Sequence, residues 1–174
     1  MTARTYLLGG VLLLTASFTF TVGVDARQHT HPSAQATVQK AIAMKPHVGP
    51  LPALPQVYFT VPRPMTIVQQ VYEFAARHPE VLQYVPCYCG CERIGHNGNH
   101  DCFVKSRAAN GTVTEWDTHG IGCTICIDVA RDAMSLFNAG QSVTQIRDAV
   151  EKKYGSYFPS STPTPKPPQT PVRR

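Results

Sequence analysis

The six cysteines of this 174-residue chain all fall between Cys87 and Cys126. They are arranged as Cys87-x-Cys89-x-Cys91, ten residues, Cys102, twenty residues, then Cys123-x-x-Cys126. A chance scatter would spread cysteines along the chain. Confinement to one window means that the fold must bring one tight turn, one isolated position and one helical-spaced pair together, and that the chemistry lies where they meet.

Three kinds of chemistry use such a cluster. The first is disulfide stapling of a small exported domain. Cys-x-Cys neighbours bond to each other only under strain, so Cys87, Cys89 and Cys91 would pair with Cys102, Cys123 and Cys126, which crowds three bonds around one turn. The second is thiol redox exchange at Cys123-Thr124-Ile125-Cys126, since a helix N-terminus lowers the pKa of a first thiol. No buried strand of the βαβ kind precedes it, and four other thiols would divert the intermediate. The third is a thiolate metal site. Gly90 lets the backbone fold closely around an ion, and Cys123 and Cys126, at i and i+3, face the same side of a first helical turn. Soft sulfur ligands select Cu(I), Zn(II) or heavier soft ions over Mg(II) and Ca(II). Six thiolates exceed the four of a mononuclear tetrahedral zinc, so a multi-copper cluster fits the count best. Structural zinc is the runner-up, with an iron–sulfur cluster behind it. His96 and His119 are candidate imidazole ligands, with Asp101 and Asp117 as acceptors that orient them. The alternative for all four is that loop residues make turns.

Composition sets the frame around the cluster. Arg4, an apolar run from Tyr6 to Val22 and the small-residue site Val24-Asp25-Ala26 predict an export signal over residues 1–26, with an uncleaved anchor as the alternative. Residues 27–56 are interrupted by Pro32, Pro46, Pro50, Pro52 and Pro55, and six of the fifteen prolines follow Phe158. Both stretches, 27–56 and 159–174, are expected to be disordered linkers that bury nothing, with His29, His31 and His47 as solvated bystanders. Residues 57–158 then form the one cysteine-rich domain, of ordinary single-domain length.

Inside it, Thr66-Ile67-Val68-Gln69 has capping-box form and predicts a helix over 67–77. Pro79 restarts a short helix that stops before Pro86. Asn110-Gly111 between Phe103 and Trp116 predicts a hairpin. Helical spacing of Ile125, Val129, Ala133 and Phe137 predicts a helix over 123–138 stopped at Gly140, and Ser142-Val143-Thr144-Gln145 caps a last helix ending at Gly155. The expected fold is mainly α, with about four helices and one short β-hairpin.

The net charge of +5 does not survive division along the chain. Residues 57–158 carry nine basic and ten acidic residues, leaving −1, and the excess is dilute on the tails. No basic stripe for nucleic acid is present. No Ser/His/Asp or paired-carboxylate arrangement stands out, so the chain is not expected to be an enzyme.

Pro86-Cys87-Tyr88-Cys89-Gly90-Cys91, then Gly95-His96, Asp101-Cys102-Phe103-Val104, Trp116-Asp117-x-His119-Gly120 and Cys123-x-x-Cys126 resemble the bacterial PCYCGC-motif (lipo)protein family over roughly Tyr84 to Tyr154. The resemblance implies an exported protein of the cell envelope that binds metal, copper first. Many members look like lipoproteins. This sequence has no cysteine at the expected cleavage site, which favours a soluble periplasmic or secreted form with at most peripheral membrane association. The resemblance carries the six cysteines, His96 and His119 over as candidate metal ligands. An envelope metalloenzyme that receives the metal is the expected partner.

Overall fold

A computed structural model describes residues 44–168. The expected export signal, residues 27–43 and residues 169–174 lie outside the described residues. Among those described, five α-helices and one hairpin occur in the order α1 (Met65–Arg77), α2 (Pro79–Leu82), β1 (Val104–Arg107), β2 (Val113–Trp116), α3 (His119–Gly122), α4 (Thr124–Asn138) and α5 (Val143–Tyr154). Two 3₁₀ turns, Cys91–Ile94 and Asn99–Cys102, carry the chain between α2 and the hairpin. The architecture is therefore mainly α with one antiparallel pair, as expected; α3 and the two 3₁₀ turns are additions.

The long helices follow their apolar spacing. In α1, Val68, Val71, Tyr72, Phe74, Ala75 and Ala76 are buried, and α4 buries Cys126, Ile127, Val129, Ala130 and Ala133. α1 and α5 both pack against α4, so α4 is the central element. The capping box at Ser142 forms in both directions, with Gln145 N–H donating to the Ser142 hydroxyl and Ser142 N–H donating to the Gln145 side chain. The one expected at Thr66 does not form. Pro64 is the residue that precedes the helix, and its carbonyl accepts from both Ile67 and Val68, so Thr66 already lies inside the first turn. α4 ends as expected at Gly140: its N–H donates to the Phe137 carbonyl and that of Gln141 to Leu136, the two bonds of a Schellman stop.

In the hairpin, Val104 pairs with Trp116 and Arg107 with Val113, with register shifts between. Trp116 and Phe103 make edge contacts with the ring of Tyr72, at centroid distances of 5.4 and 5.1 Å, which ties the hairpin to α1. Arg107 reinforces that tie, donating to the carbonyls of Ala75 and Ala76 at the end of α1 and of Gly111 in the hairpin turn.

The linker expectation requires correction for residues 44–56 and 159–168. His47 is buried rather than solvated: its Nδ1 accepts from Val113 N–H at 2.9 Å, and its Nε2 lies 2.9 Å from the Pro50 carbonyl. Leu51 and Leu54 pack on the core, and Trp116 Nε1–H donates to the Pro52 carbonyl. On the other side Thr162 and Thr164 are buried, and Arg147 Nη1 donates to the carbonyls of Tyr84, Thr164 and Pro165. Prolines preset an extended backbone, so these segments lose little conformational freedom on docking, and backbone hydrogen bonds then suffice to hold them. No helix among the described residues is long and apolar enough to cross a membrane.

Candidate metal centre

The site is assembled from four separate pieces of backbone. Cys87 and Cys89 lie in the irregular stretch after α2. Gly90 then turns the chain through a left-handed conformation (φ 83°) into the 3₁₀ turn that starts at Cys91. The second 3₁₀ turn ends at Cys102. His119 opens α3, Cys123 is the N-cap of α4, and Cys126 sits in the first turn of α4. Gly120 allows the pieces to close up: a Cβ there would lie 2.5 Å from both the Cys102 carbonyl and the Phe103 ring.

All six cysteines are unbonded thiols. With His119 they fall into two sets whose ligand atoms all lie within 4.8 Å of one another: Cys89, His119, Cys123 and Cys126, and Cys87, Cys91 and Cys102. The sets touch. Cys87 Sγ is 3.6 Å from Cys89 Sγ and 3.5 Å from Cys126 Sγ, and Cys89 Sγ is 3.4 Å from Cys126 Sγ and 3.3 Å from His119 Nε2. Cys91 and Cys102 sulfurs are 3.7 Å apart. A disulfide brings two sulfurs to about 2.05 Å, whereas sulfurs on one tetrahedral ion at about 2.3 Å lie about 3.8 Å from each other. The observed spacings belong to the second class. One set has the Cys₃His composition of a tetrahedral site and the other supplies three thiols, so the residues present fit soft metal ions, without fixing which ion.

The crowded thiols and the imidazole perturb one another. Thiol contacts from Cys102, then Cys126, pull Cys87 down to about 4, and contacts from Cys102, then Cys123, also lower Cys89. The same contacts raise Cys126, led by the one with Cys102, and burial raises Cys102. Contacts with Cys123 and then Cys89 raise His119 to about 10. A thiolate is favoured where neighbouring thiols donate to it, so the cluster ionises unevenly; a metal ion would displace the remaining thiol protons. The N-terminus of α4 adds partial positive charge beside Cys123 and Cys126.

The other sequence candidates surround the ligands. His96 belongs to neither set. It is buried with its ring edge-on to that of His119 at a centroid distance of 5.4 Å, its Nε2 lies 3.5 Å from Asp117 Oδ2, and its Nδ1 has no hydrogen-bond partner among the described residues. Asp117 fixes the start of α3 by accepting His119 N–H at 2.7 Å, so it positions the backbone of His119 rather than its ring. Asp101 accepts Asn97 N–H, and His100 Nε2 faces Arg107. Tyr88 packs against the ring of Tyr154.

Two residues with a part in the site were missed. Asn99, fully buried, donates to the Cys126 carbonyl at 3.2 Å. Thr162 clasps Cys87 at both ends of its peptide unit: Thr162 N–H donates to the Cys87 carbonyl at 2.9 Å, and its hydroxyl accepts Cys87 N–H at 2.8 Å. The available signal was the alternation Thr162-Pro163-Thr164-Pro165, which in an extended chain points both hydroxyls to one side.

No curated protein and no solved structure matches the chain. The family model described as a protein of unknown function with PCYCGC motif matches residues 11–167, and the chain belongs to that family.

Proposed function

We propose that the chain is an exported carrier of soft metal ions, Cu(I) first, which it holds on the six-cysteine cluster and hands to an envelope metalloenzyme, with no catalysis of its own. One observation carries the reading: six unbonded thiols and one imidazole packed in two touching sets. In an oxidising compartment, thiols this close become disulfides unless something occupies them, and a bound soft ion does so. The three-thiol set supports Cu(I), which accepts trigonal sulfur coordination. A second reading is zinc, because the Cys₃His set is a ligand combination of tetrahedral zinc.

Native mass spectrometry of the protein taken from the envelope without reductant tests this. The expected result is a mass carrying bound metal, with the displaced thiol protons identifying the ion and its count. A metal-free mass lighter by the hydrogens of three disulfides overturns the reading and leaves a stapled interaction module.

A further inference from the structure

The two ligand sets differ in access. Cys87, Cys91 and Cys102 are 0, 2 and 0% exposed, so every sulfur of the three-thiol set is sealed. Cys89, His119 and Cys123 are partly exposed, and only Cys126 of their set is buried. Gly122, next to Cys123, is exposed as well. Within the sealed set, Cys87 also has its backbone closed from outside, since Thr162 occupies both of its polar groups. The contacts between the sets all run through buried or half-buried sulfurs: Cys87 to Cys89 and to Cys126.

Resting on the carrier reading, we infer that the two sets have different jobs. Cys89, His119, Cys123 and Cys126 form an exchange site that takes a soft ion from, or yields it to, a thiolate-bearing donor or acceptor. Cys87, Cys91 and Cys102 form a retention site that is filled through the exchange site. Transfer between protein ligands and an incoming thiolate needs the attacking sulfur to reach the ion before the old bond breaks. Only the half-exposed set admits such a partner. Moving an ion inward needs no passage through solvent, because Cys87 already stands within 3.6 Å of two sulfurs of the outer set. Each step exchanges one metal–sulfur bond for another, with no change in oxidation state and with the proton of any incoming thiol passing to the sulfur released.

The experiment loads the full chain anaerobically with Cu(I), counts ions by native mass spectrometry, and follows their removal by excess bathocuproine disulfonate. The expected result is two equal phases of release differing in rate by about tenfold or more, since the inner ion reaches the chelator only through the exchange site, after the outer ion has left it. Cys123→Ser, at a half-buried position, removes the fast phase and leaves the slow one, because Cys89 and Cys126 still give the inner site its route. A single phase for all ions, a stoichiometry of one, or loss of the slow phase in Cys123→Ser overturns the inference while leaving the carrier reading intact. Failure to bind any ion overturns both. Should Cys123→Ser lose its helical circular dichroism, the phases of the unsubstituted chain decide alone.

Discussion

The two halves of the sulfur cluster are built from different kinds of backbone. The Cys₃His half takes His119, Cys123 and Cys126 from the starts of α3 and α4, and only Cys89 from a non-helical segment. The three-thiol half takes nothing from an α-helix: Cys87 lies in an irregular stretch, and Cys91 and Cys102 lie at ends of 3₁₀ turns. His119 and Cys123, at the very starts of α3 and α4, are half-exposed, whereas Cys126, three residues further on, is buried. The irregular stretch at Cys87 has its backbone polar groups satisfied by Thr162, which covers that residue's backbone. Access follows neither ligand identity nor the carrying element: half-exposed Cys89 and buried Cys87 share one irregular stretch, and half-exposed Cys123 and buried Cys126 share one helix start.

Three changes would break or sharpen this contrast. The largest effect is expected from Gly120→Ala, where the added methyl meets the Cys102 carbonyl and the Phe103 ring at 2.5 Å and must push the α3 start away from the Cys102 turn. Loss of about 3 kcal/mol of stability is expected from overpacking, together with metal binding by both halves. Urea unfolding and metal analysis read the two effects; a variant that stays as stable and binds as many ions would show that the halves need no close approach. Next comes Cys126→Ser, which removes the sulfur lying 3.5 Å from Cys87 and 3.4 Å from Cys89. Here the metal count should fall in both halves, more than for Cys91→Ser, and unchanged exchange between them in a two-isotope experiment would argue against a shared sulfur. The smallest effect is expected from Thr162→Val. It keeps shape but orphans Cys87 N–H, at a cost of about 2 kcal/mol, and should weaken the sealed half while sparing the outer one. Equal weakening of both halves, measured by chelator competition, would mean that the clasp acts on the whole domain rather than on Cys87.

Much of this was legible in the sequence. The stripe of Val71, Phe74 and Ala75 and the reciprocal cap at Ser142 are local signals, and the local structure obeys them. Thr66 misled because a proline two residues earlier fixes the backbone at which a helix can begin. The cysteine spacing announced a common site, and His119 joined it. The division of Cys87 and Cys91 from Cys89 was not legible, since it depends on the turn at Gly90 and on partners tens of residues away. Neither were the roles of His47 and Thr162, whose contacts are hydrogen bonds to backbone and leave no hydropathy pattern. Proline-rich composition was a sound guide to backbone conformation and a poor guide to whether the segment docks.

The clasp at Cys87 can also be viewed as a peptide ligand permanently attached to its receptor. Only 159–161 separate Thr162 from Phe158, which already packs on the core. So short a tether gives the strap an effective concentration of the order of millimolar or above at its own binding groove. After any opening it recaptures Cys87 before a free competitor of similar affinity arrives. Intervals during which the sealed sulfurs meet the outside are therefore brief by construction, and lengthening the tether should extend them without altering a single contact.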